Sequence, residues 1–202
     1  MADADRQRWN ERYVREGHED GQRAAFAPAD WLVAMAERLG PKHVGARALD
    51  IASGTGRQAL FLASLGYTVE AWDISDVALS ALEAEVARRA VAGQPVAIET
   101  RALDLERTPL PVEAFDLILD KHYLDRRLFP SMVRALRPGG VLIVHTFLFV
   151  PGGPNTARLS NPAHALQPGE LEAAFGAQLE LLELTEDTAR EEAHLLARRP
   201  TA

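Results

Sequence analysis

Apolar and polar positions along this chain change period from two to about 3.6 and back, the mark of strands exchanging with helices. Short apolar runs predict strands at Ala46 to Ile51, Thr68 to Asp73, Val96 to Leu103, Phe115 to Asp120 and Val141 to Leu148. Amphipathic stretches between them predict helices at Arg57 to Leu65, at Asp76 to Ala92 and from about Leu124 to Leu136. Ser75 is placed to cap the second of these, and R-P-G-G at Arg137 to Gly140 is placed to end the third and turn into the fifth strand. A polar N-terminal segment and an amphipathic helix near Asp30 to Leu39 precede the first strand. After Gln178 come two apolar runs, L-E-L-L-E-L-T and A-H-L-L-A-R-R, joined by the polar E-D-T-A-R-E-E. A joint of about seven residues leaves no room for a crossover helix, so these two strands pair antiparallel. The pattern predicts a doubly wound, seven-stranded α/β sheet with a terminal hairpin. Only P-G-G-P-N at Pro151 to Asn155 reads as a loose loop, one that could gate a site.

Length and charge narrow the function. A chain of 202 residues holds one α/β domain and no separate substrate domain, so residues 1–202 are expected to bind cofactor and acceptor together, with 1–40 a helical lid segment. Net charge is -7, and only Lys42 and Lys121 are lysines among the 22 basic residues. No basic face for a polyphosphate backbone is visible, which favours a small-molecule acceptor over nucleic acid; a monomer or homodimer is expected as the working form. There is no cysteine, and so no disulfide and no thiolate site. The polar opening M-A-D-A-D-R-Q-R and the shortness of the apolar runs lead us to expect a soluble, cytoplasmic protein.

Residues 47 to 57, R-A-L-D-I-A-S-G-T-G-R, carry the chemistry. A buried strand runs into a glycine turn and then a helix, so backbone N–H groups and a helix N-terminus line a pocket. Asp73 ends the next strand, where a carboxylate accepts from the two hydroxyls of a ribose. Gly54, Gly56 and Ala59 also satisfy the dinucleotide fingerprint, but a carboxylate at Asp50 repels a pyrophosphate. It suits a cationic nucleoside such as S-adenosylmethionine (SAM). A nucleophile elbow would need glycines where Ile51 and Thr55 stand, the P-loop lysine is missing, and the histidine spacings suggest no metal.

D-I-A-S-G-T-G resembles the first motif of the class I SAM-dependent methyltransferases, with Ala52 where the first glycine usually stands. Further segments in order, W-N-E-R-Y, H-Y-L-D-R-R-L-F, L-R-P-G-G-V-L-I and N-P-A-H-A-L-Q-P-G-E-L, are similar to bacterial methyltransferases related to the tellurite-resistance and thiopurine enzymes. The resemblance implies a Rossmann-like sheet of order 3-2-1-4-5-7-6. It also implies SAM as cofactor, S-adenosylhomocysteine as product, and methyl transfer to a small acceptor such as a thiol, an oxyanion or another soft nucleophile.

Roles follow position by position. Ala52, Ser53, Gly54, Gly56 and Arg57 form the turn against which the methionine part of SAM lies. Asp50 reaches the ammonium through the loop or a water, or else ties down loop N–H groups. Asp73 takes the ribose, the fold places Asp104 near the adenine amine, and Ile74 and Leu105 sandwich the ring. Trp9 and Tyr13 lie on one helical face and offer aromatic rings to the sulfonium. Asp120, His122 and Tyr123 lie at the crevice beyond the fourth strand, where His122 or Tyr123 serves as proton acceptor if the nucleophile arrives protonated. Arg126 is the candidate anion contact, with an ordinary surface ion pair as the alternative. His145 is expected to be a core or rim histidine. A small NAD-binding oxidoreductase, or a SAM-binding protein without efficient catalysis, remain the other readings.

Overall fold

The computed structural model describes residues 2–17, 30–36, 38–39, 45–158 and 161–201. Of the expected 1–40 lid segment, residues 1, 18–29, 37 and 40 lie outside the described residues. The chain divides into two compact units, residues 1–108 and 109–202.

In the first unit, helix α1 (Ala2–Gly17) carries Asp3 and Asp5 in its first turn and Arg15 in its last, charges that match the helix dipole. Helix α2 (Asp30–Ala36) buries Leu32 and Met35, three residues apart on one face. Strands β1 (Arg47–Ile51), β2 (Thr68–Asp73) and β3 (Ile98–Ala102) follow, β1 parallel to β2 and β2 parallel to β3. The first two are buried almost throughout, which is why they read as continuous apolar runs rather than as alternation. Helices α3 (Arg57–Ser64) and α4 (Asp76–Val91) connect them. As expected, Ser75 caps α4, its hydroxyl accepting from the Ala78 N–H at 3.1 Å.

The second unit contains β4 (Phe115–Lys121), a 3₁₀ turn (Arg126–Leu128), α5 (Phe129–Ala135), β5 (Leu136–Phe147), α6 (Pro154–Arg158), α7 (Glu170–Phe175), β6 (Glu180–Asp187) and β7 (Glu192–Arg198). β4 runs parallel to β5, β7 pairs antiparallel with β6, as the short hairpin joint requires, and β7 is also antiparallel to β5. The seven-stranded sheet has the order β3-β2-β1-β4-β5-β7-β6.

Three local expectations are corrected. The helix expected from Leu124 begins as a 3₁₀ turn at Arg126, because Asp125 caps there and accepts from the Arg127 N–H at 3.0 Å. R-P-G-G does not separate helix from strand but lies inside β5. The register jumps from Phe115↔Leu136 to Leu117↔Val141, and the surplus residues bulge out with Gly139 at φ 80. Gly140 is needed in that bulge, since a Cβ there would lie 2.8 Å from the Arg137 carbonyl oxygen. The loop at Pro151 to Asn155 is not loose either. The buried Glu191 carboxylate accepts from the backbone N–H groups of Asn155 at 3.1 Å and Thr156 at 2.7 Å, and from the Thr156 hydroxyl at 2.9 Å. Among the described residues no helix is long and apolar enough to cross a membrane.

Candidate functional site

The glycine turn between β1 and α3 is fixed by backbone geometry. Ser53 N–H donates to the Trp72 carbonyl at 3.0 Å and Gly56 N–H to the Ser53 carbonyl at 3.0 Å, so the turn closes on itself while fastened to β2. Gly54 and Gly56 have φ 56 and φ 77, and Ala52 shares the left-handed region at φ 51. The position where the resembling motif has glycine thus demands a positive φ here too, and alanine holds it under strain of about 1 kcal/mol or more. Gly56 also packs α4 closely, because a Cβ there would collide with the Leu82 side chain.

Asp73 secures this turn. One carboxylate oxygen accepts from the Gly54 N–H and the other from the Ser75 N–H, each at 2.8 Å. A carboxylate offers about four lone-pair positions, so Asp73 retains acceptor capacity beyond these backbone N–H groups. Burial raises the Asp73 pKa, and the N–H groups of Ser75, Gly54 and Ile74 oppose that shift. Leu103 N–H donates to the Asp73 carbonyl at 2.9 Å and holds the ends of β2 and β3 together. Asp73 pairs with Ala102 in register, which puts Asp104 two residues past that pair with Ile74 and Leu105 beside them. Asp104 is half-buried; one of its oxygens accepts from the Glu106 N–H at 2.9 Å, and the other lies 3.4 Å from Arg107 Nε. Asp50 is buried in β1 opposite Ala71, and Arg57 opens α3 half-buried.

Helix α1 lies against this turn through a contact that sequence reading did not single out. Asn10 donates to Asp76 Oδ1 and accepts from the Ser75 hydroxyl, both at 2.6 Å, so it clasps the first turn of α4. One helical turn further along, the Tyr13 hydroxyl covers Gly54, lying 2.6 Å from where a Cβ would stand. Trp9 and Tyr13 do share a face, with ring centroids 6.0 Å apart. The cations over Trp9 in this structure are Arg12 and Arg8, 5.0 Å and 6.0 Å from its centroid. W-N-E-R-Y therefore holds the available signal for Asn10: a short amide between two aromatics on one helix face.

In the second unit, β4 ends at Lys121, one residue beyond the expected end at Asp120. Asp120 is buried, and its Oδ1 accepts from the Tyr123 N–H at 3.3 Å, which folds the chain back after the strand. His122 makes that turn with φ 60, donates its N–H to the His145 carbonyl at 2.8 Å and stacks on Phe147 at 4.5 Å. Burial, helped by Lys121 and His194, lowers the His122 pKa to about 4. Burial likewise lowers His145 to about 2, with His194, His122 and Lys121 adding to the effect. His145 is buried within a histidine cluster, with a ring centroid 4.2 Å from that of His194.

Arg126 does not offer a spare guanidinium to an acceptor. Its Nε pairs with Glu170, its two terminal nitrogens donate to the carbonyls of Ala163 at 2.7 Å and Ala165 at 3.0 Å, and Glu170 accepts again at 3.0 Å. The side chain is a strut between the 3₁₀ turn and residues 163–170. Arg127 is the surface ion pair, held by Asp125 at 2.8 Å.

Comparison with known proteins agrees with this layout. Residues 49–144 match a family model described as a methyltransferase domain. A demethylmenaquinone methyltransferase of Clavibacter sepedonicus is 32% identical over 126 residues, 60% of this chain and 49% of the relative. The chain therefore spans about half the length of that curated relative. Among solved structures, TehB from Haemophilus influenzae superposes with a TM-score of 0.68 at 21% identity, over 85% of this chain and 62% of that one. A Haemonchus contortus phosphoethanolamine N-methyltransferase 2 in complex with S-adenosyl-L-methionine gives 0.70 at 17% identity, over 86% and 54%. At those identities the likeness is one of fold, the Rossmann-like methyltransferase sheet.

Proposed function

We propose, from the match of residues 49–144 to a family model described as a methyltransferase domain, that the chain is an enzyme moving the methyl group of SAM to a small-molecule acceptor, with residues 1–202 working as one domain. The observation that carries the reading is the Asp73 carboxylate. It pins the glycine turn by accepting from the Gly54 and Ser75 N–H groups on different oxygens, with the Ile74 N–H also directed at it, and its remaining acceptor capacity is what we assign to a ribose hydroxyl. A nucleoside held there lies between Ile74 and Leu105, with Asp104 at its base and the Gly54 backbone along its tail. Tyr13 closes over Gly54 and shields that tail from water.

When bound, SAM supplies a methyl group on a sulfonium, open to in-line displacement. The residues of this chain supply alignment, which is most of what such a displacement needs. Asp120 shapes the loop that carries His122 and Tyr123, and these two face the acceptor. The acceptor class we propose is a soft or anionic nucleophile, a thiol or an oxyanion, in line with the resemblance of H-Y-L-D-R-R-L-F to the tellurite-resistance and thiopurine enzymes. The name of the curated relative adds demethylmenaquinone to the acceptors worth testing.

The experiment is transfer from methyl-labelled SAM to a panel of small thiols, selenium and tellurium oxyanions and demethylmenaquinone, run on the wild type and on Asp73→Ala. Label in a thiol or oxyanion product is expected. SAM affinity should fall by about 1–3 kcal/mol in Asp73→Ala, the cost of stranding buried polar partners. Unchanged affinity in that variant would overturn the ribose role, and bound SAM with no transfer to any of these acceptors would overturn the enzyme reading.

A further inference from the structure

Four side chains that are distant in sequence meet at one end of the sheet in the second unit. His145 on β5 stands directly opposite His194 on β7 in the antiparallel register. Glu192 lies two residues before His194, hence on the same face of β7. Lys121 pairs with His145 in the parallel register, and His122, turned at φ 60 just past β4, brings its ring centroid to 5.0 Å from that of His145. One nitrogen of His122, one of His145 and one carboxylate oxygen of Glu192 lie within 4.8 Å of one another. Glu192 Oε2 is 3.3 Å from His145 Nε2 and 3.7 Å from His194 Nε2.

We propose that His122, His145 and Glu192 bind a divalent transition-metal ion of the zinc class, with His194 orienting Glu192 from behind. Two imidazoles and one carboxylate are the donor set of catalytic zinc sites that keep an open coordination position. Bonds of about 2.1 Å in a tetrahedral shell place ligand atoms about 3.4 Å apart, so the His145–Glu192 pair already has the required spacing. The three donor atoms lie within 4.8 Å of one another, and His122, at the exposed edge, is the ligand placed to close any remaining gap. Its stack on Phe147 and its backbone bond to His145 orient the ring toward the other two donors. The His194 imidazole, 3.7 Å from Glu192 Oε2, stands where an outer partner positions a metal ligand. The fourth position faces the exposed side of His122 and would take water or an anionic oxygen or sulfur ligand. Spacing along the chain gives no hint of this set, because strand register and not sequence separation assembles it. Nothing in the proposal depends on the cofactor reading of the first unit.

The test is calorimetric titration of chelator-treated full-length protein with Zn²⁺, paired with Co²⁺ substitution read as visible absorption bands. One equivalent is expected, with the intense bands of a four- or five-coordinate site. His122→Ala and Glu192→Gln should each weaken binding by about 10–100-fold or more, while His164→Ala, away from the cluster, should leave it unchanged. Circular dichroism confirms folding of each variant, and His122→Ala alone carries the test if Glu192→Gln does not fold. Absence of stoichiometric binding by the wild type would overturn the site. So would variants that bind as tightly as the wild type, since the ion would then sit elsewhere.

Discussion

The glycine turn of the first unit and the histidine cluster of the second are both built at strand ends, but by opposite means. The turn comes from one contiguous run, residues 52–56, secured by Asp73 at the end of the neighbouring strand. The cluster comes from three strands and a hairpin, and His122, His145 and His194 gain their proximity only from register. A site of the first kind is written into local sequence; one of the second kind exists only after pairing is complete.

The largest expected effect tests how tightly the contiguous turn is packed. Gly56→Ala adds a Cβ that collides with Leu82 and forces an alanine to φ 77, so we expect a loss of about 2–5 kcal/mol in chemical denaturation. Coupling to Leu82→Ala in a double-mutant cycle should recover part of it, and additive losses would separate the glycine from that contact.

The next probes the register-built half. Arg126→Ala removes the strut to Glu170 and the carbonyls of Ala163 and Ala165, and should reduce stability by about 1–2 kcal/mol. If stability is unchanged while acceptor KM rises, Arg126 is an acceptor contact after all.

Ala52→Gly should raise stability by about 0.5–1 kcal/mol, because relief of the positive φ exceeds the added chain entropy of glycine. A destabilised variant would show that the turn tolerates alanine without strain.

An effect of similar size concerns α4, where Arg88 and Arg89 hold Glu85 and lower its pKa from 4.5 to about 2, against the burial that raises it. A carboxylate with a depressed pKa adds stability that is fully present above pH 4.5 and is lost as pH falls through about 2. Since Arg88 is largely exposed, solvent screening reduces the contribution to about 1 kcal/mol. Glu85→Gln should therefore be less stable than wild type at pH 7, with the gap closing between pH 4.5 and 2. A gap that persists at the acid end would assign the effect to packing.

The same contrast explains what the sequence disclosed. Both paired strands of the C-terminal hairpin and the parallel strands before them were legible, because buried strands read as apolar runs and a short joint permits only antiparallel pairing. Ser75 as a cap and the turn around Gly54 were legible for the same local reason. The bulge at Arg137 to Gly140 was not, since R-P-G-G serves a turn and a bulge equally well and only the partner strand decides. Asn10 was hidden because its partners, Ser75 and Asp76, are distant in sequence. Arg126 shows the limit from the other side: the residue type suits an anion contact, and Glu170, 44 positions away, takes it instead.

The central claim is that the turn secured by Asp73 holds a nucleoside sulfonium and not a dinucleotide. Calorimetric titration of the purified chain with S-adenosylhomocysteine and, separately, with NADH tests it most directly. The account predicts micromolar binding of S-adenosylhomocysteine at one site and no heat from NADH; saturable binding of NADH with none of S-adenosylhomocysteine would contradict it.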